Sequence, residues 1–458
     1  MTFKSLVLGS AAALMTVGGA QAADLPAEPI DYVRVCDAYG SGFYYIPGSD
    51  TCLRVGGRIR ADYAYIDRDN FDDGDGQFLY QARYYVRLDA RTQTDFGLLR
   101  AYGSAQFRTG NFGLGPAGDT RGRLVVESAF IQWGGFTFGR NDSFASIYHG
   151  YFGLAPQVDI AEPYDEVNLL AYTYQLGNGF SITASLESQT SAFGRNSQVL
   201  DLGSGVNSAG QAVTVSGGAI TVDPGPGGVA IPPGVIGPAT VAAFDNVQQD
   251  DEAPDLVVNL NLNQSWGSAN VVGALHYIET DGASGGDDET LGWAIGGGVT
   301  LNVPFAGQND TIGIQAVYAE GASRFAYASG YISGLPTPGL NASAGGLGGS
   351  FVIPDATIVD GNLEESEIFT VLGGFQHFFS SDVSFAISGS YTDAEIAGIP
   401  DVEAYGVIGN VRWTPVSGLL FAVEGAWNRV ETEGLDVNGV GDIEEDVWNV
   451  VFRVQRDF

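Results

Sequence analysis

The stretch Leu53-Arg54-Val55-Gly56-Gly57-Arg58-Ile59-Arg60-Ala61-Asp62-Tyr63-Ala64-Tyr65 decides how this chain folds. Its odd positions are Leu53, Val55, Gly57, Ile59, Ala61, Tyr63 and Tyr65, and its even positions include Arg54, Arg58, Arg60 and Asp62. A period of two is the repeat of a β-strand, whose successive side chains point to opposite faces. One face suits lipid and the other suits water. An arginine turned to lipid costs roughly 2–4 kcal/mol at mid-membrane depth, so the polar face must look inward onto water.

The next run swaps parity, as an antiparallel partner can. Phe78, Tyr80, Ala82, Tyr84, Val86, Leu88 and Ala90 alternate with Gln81, Arg83, Tyr85, Arg87, Asp89 and Arg91. Beyond the turn Thr94-Asp95-Phe96-Gly97, the residues Leu99, Ala101, Gly103, Ala105 and Phe107 alternate with Arg100, Tyr102, Ser104, Gln106 and Arg108. The pattern returns at 125–133, 136–139, 170–176, 180–186, 256–262, 269–277, 291–301 and 312–318, then at 369–379, 383–391, 405–413, 419–427 and 448–458, sixteen runs in all. An even number of strands of about ten residues fits an all-β fold, a 16-stranded antiparallel transmembrane β-barrel. Tight turns such as Trp133-Gly134-Gly135, Gly177-Asn178-Gly179 and Thr414-Pro415-Val416-Ser417 alternate with longer connections. Short periplasmic turns facing long extracellular loops give that alternation, and parity then places both termini on the periplasmic side. The two longest connections, 190–254 and 321–364, are rich in Gly with Pro or Ser and lack a strong period, so they read as external decoration.

Composition agrees. Hydrophobic residues make up 45% of the chain, too many for an acidic disordered tail, and charged residues are only 16%, below the ~25% usual in soluble domains. Asp and Glu number 54 against 20 Lys and Arg, a net charge of −34 that excludes nucleic acid as a partner. No lysine or arginine stands between Arg195 and Arg324, so the outward surface is acidic. It could bind divalent cations that bridge to membrane lipids and lipopolysaccharide, or it could simply be a solvated face.

At the N-terminus Lys4, an apolar run over 6–17 and the triplet Ala20-Gln21-Ala22 read as a secretory signal peptide, 1–22, with the barrel domain occupying 23–458. The apolar run is shorter than the ~20 residues a spanning helix needs, which argues against an uncleaved anchor. Export favours a disulfide between the two cysteines, Cys36 and Cys52, the alternative being two buried thiols. Two cysteines and three scattered histidines, His149, His276 and His377, are too few for a metal site, and no cofactor is expected.

Three blocks carry a resemblance. Arg34-Val35-Cys36-Asp37-Ala38-Tyr39-Gly40 is followed by Gly42-Phe43-Tyr44-Tyr45-Ile46-Pro47-Gly48 and by Thr51-Cys52-Leu53-Arg54-Val55-Gly56-Gly57. With Gly134-Gly135-Phe136-Thr137-Phe138-Gly139-Arg140 and the terminal Val450-Val451-Phe452-Arg453-Val454-Gln455-Arg456-Asp457-Phe458, the chain resembles the outer-membrane porins of alphaproteobacteria of the Brucella and rhizobial type. The resemblance implies a homotrimeric diffusion pore for small hydrophilic solutes and ions, not an enzyme, whose third loop folds inward and narrows the barrel. Here that loop is 140–167, with Asp142, Asp159, Glu162, Asp165 and Glu166 as its acidic members. Across from it the alternation places Arg54, Arg58, Arg60, Arg83, Arg87, Arg91 and Arg100 on the water face, and opposed rows of arginine and carboxylate create a transverse field that orders dipolar solutes. The bland alternative is that these arginines only pair with neighbouring carboxylates. The terminal Phe458 resembles the signal read by the outer-membrane assembly machinery.

Two other readings compete. A hydrolase barrel needs a nucleophile with a positioned base. His149 could be that base, but it sits among Phe144, Tyr148, Tyr151 and Phe152 in the loop expected to narrow the pore. A calcium-binding adhesin finds a faint echo in Asp436-Val437-Asn438 with Gly441, yet Val440 and Val447 occupy ligand positions.

Overall fold

The computed structural model describes residues 34–68, 77–110, 123–154, 166–189, 199–206, 212–216, 219–222, 243–247, 253–280, 289–304, 307–326, 332–333, 350–351, 353–359, 362–432 and 443–458. The expected cleavage site after Ala22 and the acidic residues Asp159, Glu162 and Asp165 lie outside them.

Sixteen strands form one closed wall: β1 (Cys52–Arg68), β2 (Gln77–Thr94), β3 (Gly97–Gly110), β4 (Arg123–Trp133), β5 (Phe136–Asp142), β6 (Glu166–Gly177), β7 (Phe180–Glu187), β8 (Asp255–Gln264), β9 (Gly267–Glu279), β10 (Glu289–Asn302), β11 (Thr311–Glu320), β12 (Glu367–Phe378), β13 (Val383–Ile396), β14 (Ile399–Val416), β15 (Leu419–Thr432) and β16 (Ile443–Asp457). Each pairs antiparallel with its neighbour in sequence, and β1 meets β16 from Arg58↔Asp457 to Arg68↔Val447. Closure is what lipid demands, because an open edge would leave backbone groups unpaired. Every one of the sixteen alternating runs becomes a strand of this barrel. On β1, Val55, Ile59, Tyr63 and Tyr65 are exposed on the outer wall, while Arg60 and Asp62 are 6% and 1% exposed on the inner one. Past the end of β16 the seam continues, since Gly57 N–H donates to Phe458 O at 2.9 Å and Phe458 N–H donates to Gly57 O at 3.1 Å. A Cβ on Gly57 would strike the Phe458 ring, so the glycine makes the seat of the terminal aromatic.

Turns at one end are short, and Gly134 and Gly135 at φ +58° and +95° supply the left-handed backbone that one of them requires. The other end carries the long connections, except that β13 and β14 are joined there by Ala397-Gly398 alone. At the short-turn end Phe43–Tyr45 pairs with the start of β1, and the Cys36–Cys52 disulfide, with Cα atoms 6.0 Å apart, ties this hairpin down.

The long connections depart from the expectation of external decoration. Val199–Val206, Ala212–Ser216, Ala219–Val222 and Ala243–Val247 of the first share a sheet with Ala356–Val359 and Asn362–Glu365 of the second, joined by parallel pairing of Ala356 with Val199. Val199, Ala356 and Ile358 pack on Ile278 of β9, and Ala322, Ala326 and Ile353 join a buried apolar cluster with Val257, Val272, Ala294, Val317 and Ile368 of the inner wall. Part of each loop therefore enters the barrel mouth. The strands involved are too short to show a period alone, and their partners lie far away in sequence.

Candidate functional site

The inner wall of β1–β3 carries the arginines. Register sets Arg60 opposite Arg83 and Arg83 opposite Arg108, so three adjacent strands present a lateral row of guanidinium groups. Like charges directly opposite one another on neighbouring strands repel. At an effective dielectric near 20, two unit charges about 5 Å apart repel by roughly 3 kcal/mol. Counter-charges relieve part of this. Arg60 Nε donates to Asp62 Oδ2 at 2.8 Å, and Arg453 Nε of β16 donates to Asp62 Oδ1 at 2.6 Å. Arg58 pairs with Asp457 at 2.7 Å. Arg91 and Arg100 share Asp89 at 2.8 and 3.0 Å, three rungs from the short turn, and Arg91 also lies 4.9 Å over the Phe43 ring of the N-terminal hairpin.

The remaining expected arginines behave differently. Arg54, Arg83 and Arg87 have no carboxylate within salt-bridge distance among the described residues. Arg83 is met by the neutral groups Gln81 and Tyr85 Oη, and Arg87 by the Tyr85 ring. Neutral partners hold these side chains without cancelling their charge. The alternatives open at the sequence level thus divide by residue, with Arg58, Arg60, Arg91 and Arg100 paired and Arg54, Arg83 and Arg87 not.

The third loop leaves β5 and runs along the inside of the barrel. Ser143 Oγ and Phe144 N–H donate to Glu187 of β7 at 2.6 and 2.9 Å, and Asn259 Nδ2 of β8 donates to Phe144 O at 2.7 Å. Farther on, His149 N–H donates to Gln315 Oε1 of β11 at 2.8 Å, while its Nδ1 lies 2.7 Å from Thr300 Oγ1 of β10. Ser388 Oγ of β13 donates to Gly150 O, Asn410 Nδ2 of β14 to Phe152 O, and Leu154 N–H to Glu424 of β15. Arg453 Nη1 of β16 closes the path on Leu154 O at 2.7 Å. This leg follows the wall from β7 round to β16 and ends beside Asp62, where the arginine row begins. The inner faces of β1–β4 make none of these bonds with it.

Glycines explain the course of the loop. A Cβ on Gly313 or Gly374 would collide with the backbone of Gly150, and one on Gly298 would lie 2.6 Å from the His149 ring. Side-chain-free positions in a strand let another backbone approach closely.

Among the acidic residues expected on the loop, only two fall in the described residues. Asp142 ends β5, and Glu166 opens β6 opposite it. Glu166 is 2% exposed with Arg140 Nη2 3.5 Å away, so it belongs to the wall at the root of the loop rather than to its inward leg. Arg108 and Arg453 were missed as site residues, although both fall on inward parity: Arg108 follows Arg100 at the same period, and Arg453 alternates with Phe452 and Val454.

The outer membrane channel DcaP of Acinetobacter baumannii shares the fold over 90% of this chain and 99% of its own, with a TM-score of 0.58 at 16% identity. The porin Omp2b of Brucella suis biovar 1 (strain 1330) and that of Brucella canis are each 38% identical to this chain over 204 residues, 41% of its length. The match spans about half of these relatives, 54% of their length. The porin subfamily model matches residues 23–449, so a sixteen-stranded outer-membrane barrel with an arginine wall and an inward third loop is also, by descent, a member of the porin subfamily.

Proposed function

We propose that this chain is a water-filled passive diffusion channel for small hydrophilic solutes and ions, requiring no cofactor and narrowed between the arginine wall and the third loop. One observation carries the reading: the described leg of the loop bonds to the inner wall from β7 to β16 and leaves β1–β4 uncovered. Water and solutes pass along the bare side, past Arg54, Arg83 and Arg87. Asp159, Glu162 and Asp165 are assigned to the opposite bank of this gap. In a confined pore the effective dielectric lies below that of bulk water, so each fixed charge weighs more on a passing ion than it would at the surface.

Reversal potentials under a salt gradient in a planar bilayer test this. Arg83→Gln with Arg87→Gln moves selectivity toward cations, and Glu162→Gln with Asp165→Asn moves it toward anions. Both change it more than Asp72→Asn with Asp73→Asn in the first external loop. Equal shifts for all three pairs would remove the constriction from where it is put here.

The catalytic alternative has little to work with. His149 has one ring nitrogen engaged by Thr300 and is 7% exposed, which suits an anchor of the loop. A homotrimer, contact of the acidic outer surface with lipopolysaccharide, and a role for Phe458 in assembly complete the proposal. An intact complex of monomer mass in mild detergent would contradict the trimer, and undiminished barrel yield from Phe458→Ala would remove the assembly role.

A further inference from the structure

A second segment enters the lumen, and it is tied to the first. After β11 the chain turns at Gly321, φ +62°, whose carbonyl lies so close over Gly292 of β10 that a Cβ there would collide with it. The short helical turn Ser323–Ala326 follows, with Ala322 and Ala326 buried in the apolar cluster of the inner wall. Between them sits Arg324, 7% exposed. Its Nη2 is 3.1 Å from Asp255 Oδ2 and 3.5 Å from Glu187 Oε2, and its Nη1 donates to Ser188 O at 2.7 Å.

Glu187 is the carboxylate that also accepts from Ser143 and Phe144, the first residues of the constriction loop. From Asp255 the chain of contacts runs on. His276 Nδ1 donates to Asp255 Oδ1 at 2.6 Å, and His276 Nε2 is 3.5 Å from Asp355 Oδ2. Asp355 Oδ1 accepts from both the N–H and the Oγ of Ser323 at 2.7 Å, which returns the chain to its start. Burial alone would raise the Asp355 carboxyl, but His276 and the Ser323 donors outweigh it and hold the group below the ordinary carboxylate range. Glu187 and Asp255 are both 0% exposed, and a buried carboxylate is tolerable only with a cation and donors in place.

We propose that Arg324 is a positioning residue for the pore, clasping the inward segment 322–326 to the wall and, through Glu187, holding the root of the constriction loop, so that the two segments set the aperture together. The proposal rests on the pore reading above. It makes the segment 322–326 of the second long loop part of the permeation path rather than an outer ornament.

The test uses the full-length folded protein. Cys36 and Cys52 are bonded to each other, so Ala326→Cys introduces the single free thiol, at a position buried in the cluster and outside the clasp. Its labelling rate with a charged methanethiosulfonate reagent and the single-channel conductance are read in three backgrounds: Arg324, Arg324→Gln and Arg324→Lys. Breaking a buried ion pair on one side shifts the local opening equilibrium strongly, so Arg324→Gln raises the labelling rate roughly a hundredfold. The same variant raises conductance and adds sub-conductance steps, and Arg324→Lys restores most of both. Unchanged labelling in a heat-modifiable barrel overturns the clasp, and faster labelling at unchanged conductance overturns its role in the pore. Should Arg324→Gln fail to assemble, Asp355→Asn, which leaves Glu187 and Asp255 with their cation, is read in its place for the same two outcomes with smaller shifts. A barrel that conducts no ions in any background refutes the pore reading itself, whereas the labelling contrast still reports on the clasp.

Discussion

The inner face of β1–β3 and the inner face of β10–β12 belong to one sheet and obey one alternation, yet they meet opposite fates. On the first, the inward positions carry many long polar side chains: Arg58 and Arg60, then Arg83, Arg87 and Asp89, then Arg100, Gln106 and Arg108. On the second, the corresponding positions include Gly296, Gly298, Gly313 and Gly374, and the third loop lies directly on them. The arginines extend into the lumen and carry hydration that a covering backbone would strip away. The glycines offer nothing to displace and leave strand backbone within reach of loop backbone. Which wall the described leg of the third loop lies on therefore follows side-chain volume on the inward parity.

The largest effect expected from breaking this asymmetry comes from Gly313→Val. The new side chain occupies the place of Gly150, and overpacking of this kind costs about 1–3 kcal/mol or more. The loop can yield only toward the arginine side, so single-channel conductance falls along with the heat-modification midpoint. Unchanged conductance would mean that the glycines do not seat the loop.

Next comes the tether at the foot of the arginine wall. Replacing Cys36 and Cys52 together by Ser removes a cross-link spanning 16 positions, worth roughly 3 kcal/mol in the chain-entropy model. Unfolding in denaturant becomes easier by that order while conductance holds, since the hairpin lies at the short-turn end against Arg54 and Arg91, away from Arg83. A lost or altered conductance would extend the constriction down to the short-turn end.

A smaller effect separates paired from unpaired arginines. Arg87→Gln shifts the reversal potential toward cations more than Arg91→Gln does, because Asp89 already offsets Arg91. Equal shifts would show that the pairing with Asp89 does not screen charge in the lumen.

The smallest is a control on the same residue type. Gly425 of β15 faces outward with no atom within 4 Å of a Cβ placed there. Gly425→Val stays within about 0.5 kcal/mol in stability, as surface substitutions do, and leaves conductance unchanged. A loss as large as that of Gly313→Val would assign the effect to strand glycines in general rather than to the loop they seat.

Much of this was legible in the residues. Period two names the face of every side chain, so Arg54 to Arg100 could be set on water before any coordinates were known, and Arg108 and Arg453 were readable by the same rule. Glu166 misled because a loop boundary is a question of pairing: its register opposite Asp142 makes it wall, and no local pattern announces that. The glycines of β10–β12 were visible as composition, but their use was not, since a glycine in a strand does not say which backbone will approach it.

The sequence by itself determined the barrel, the number of its strands, the sidedness of each strand and the arginine wall, because these follow from the i, i+2 spacing of side chains within single strands. Only the tertiary structure decided which arginines meet a carboxylate among the described residues, which wall the described leg of the third loop follows, and that a segment after β11 turns inward to set Arg324 against Glu187 and Asp255. The course of the loop and of the inward segment depends on contacts between residues more than a hundred positions apart, such as Leu154 with Arg453 and Ser188 with Arg324, which no local period encodes.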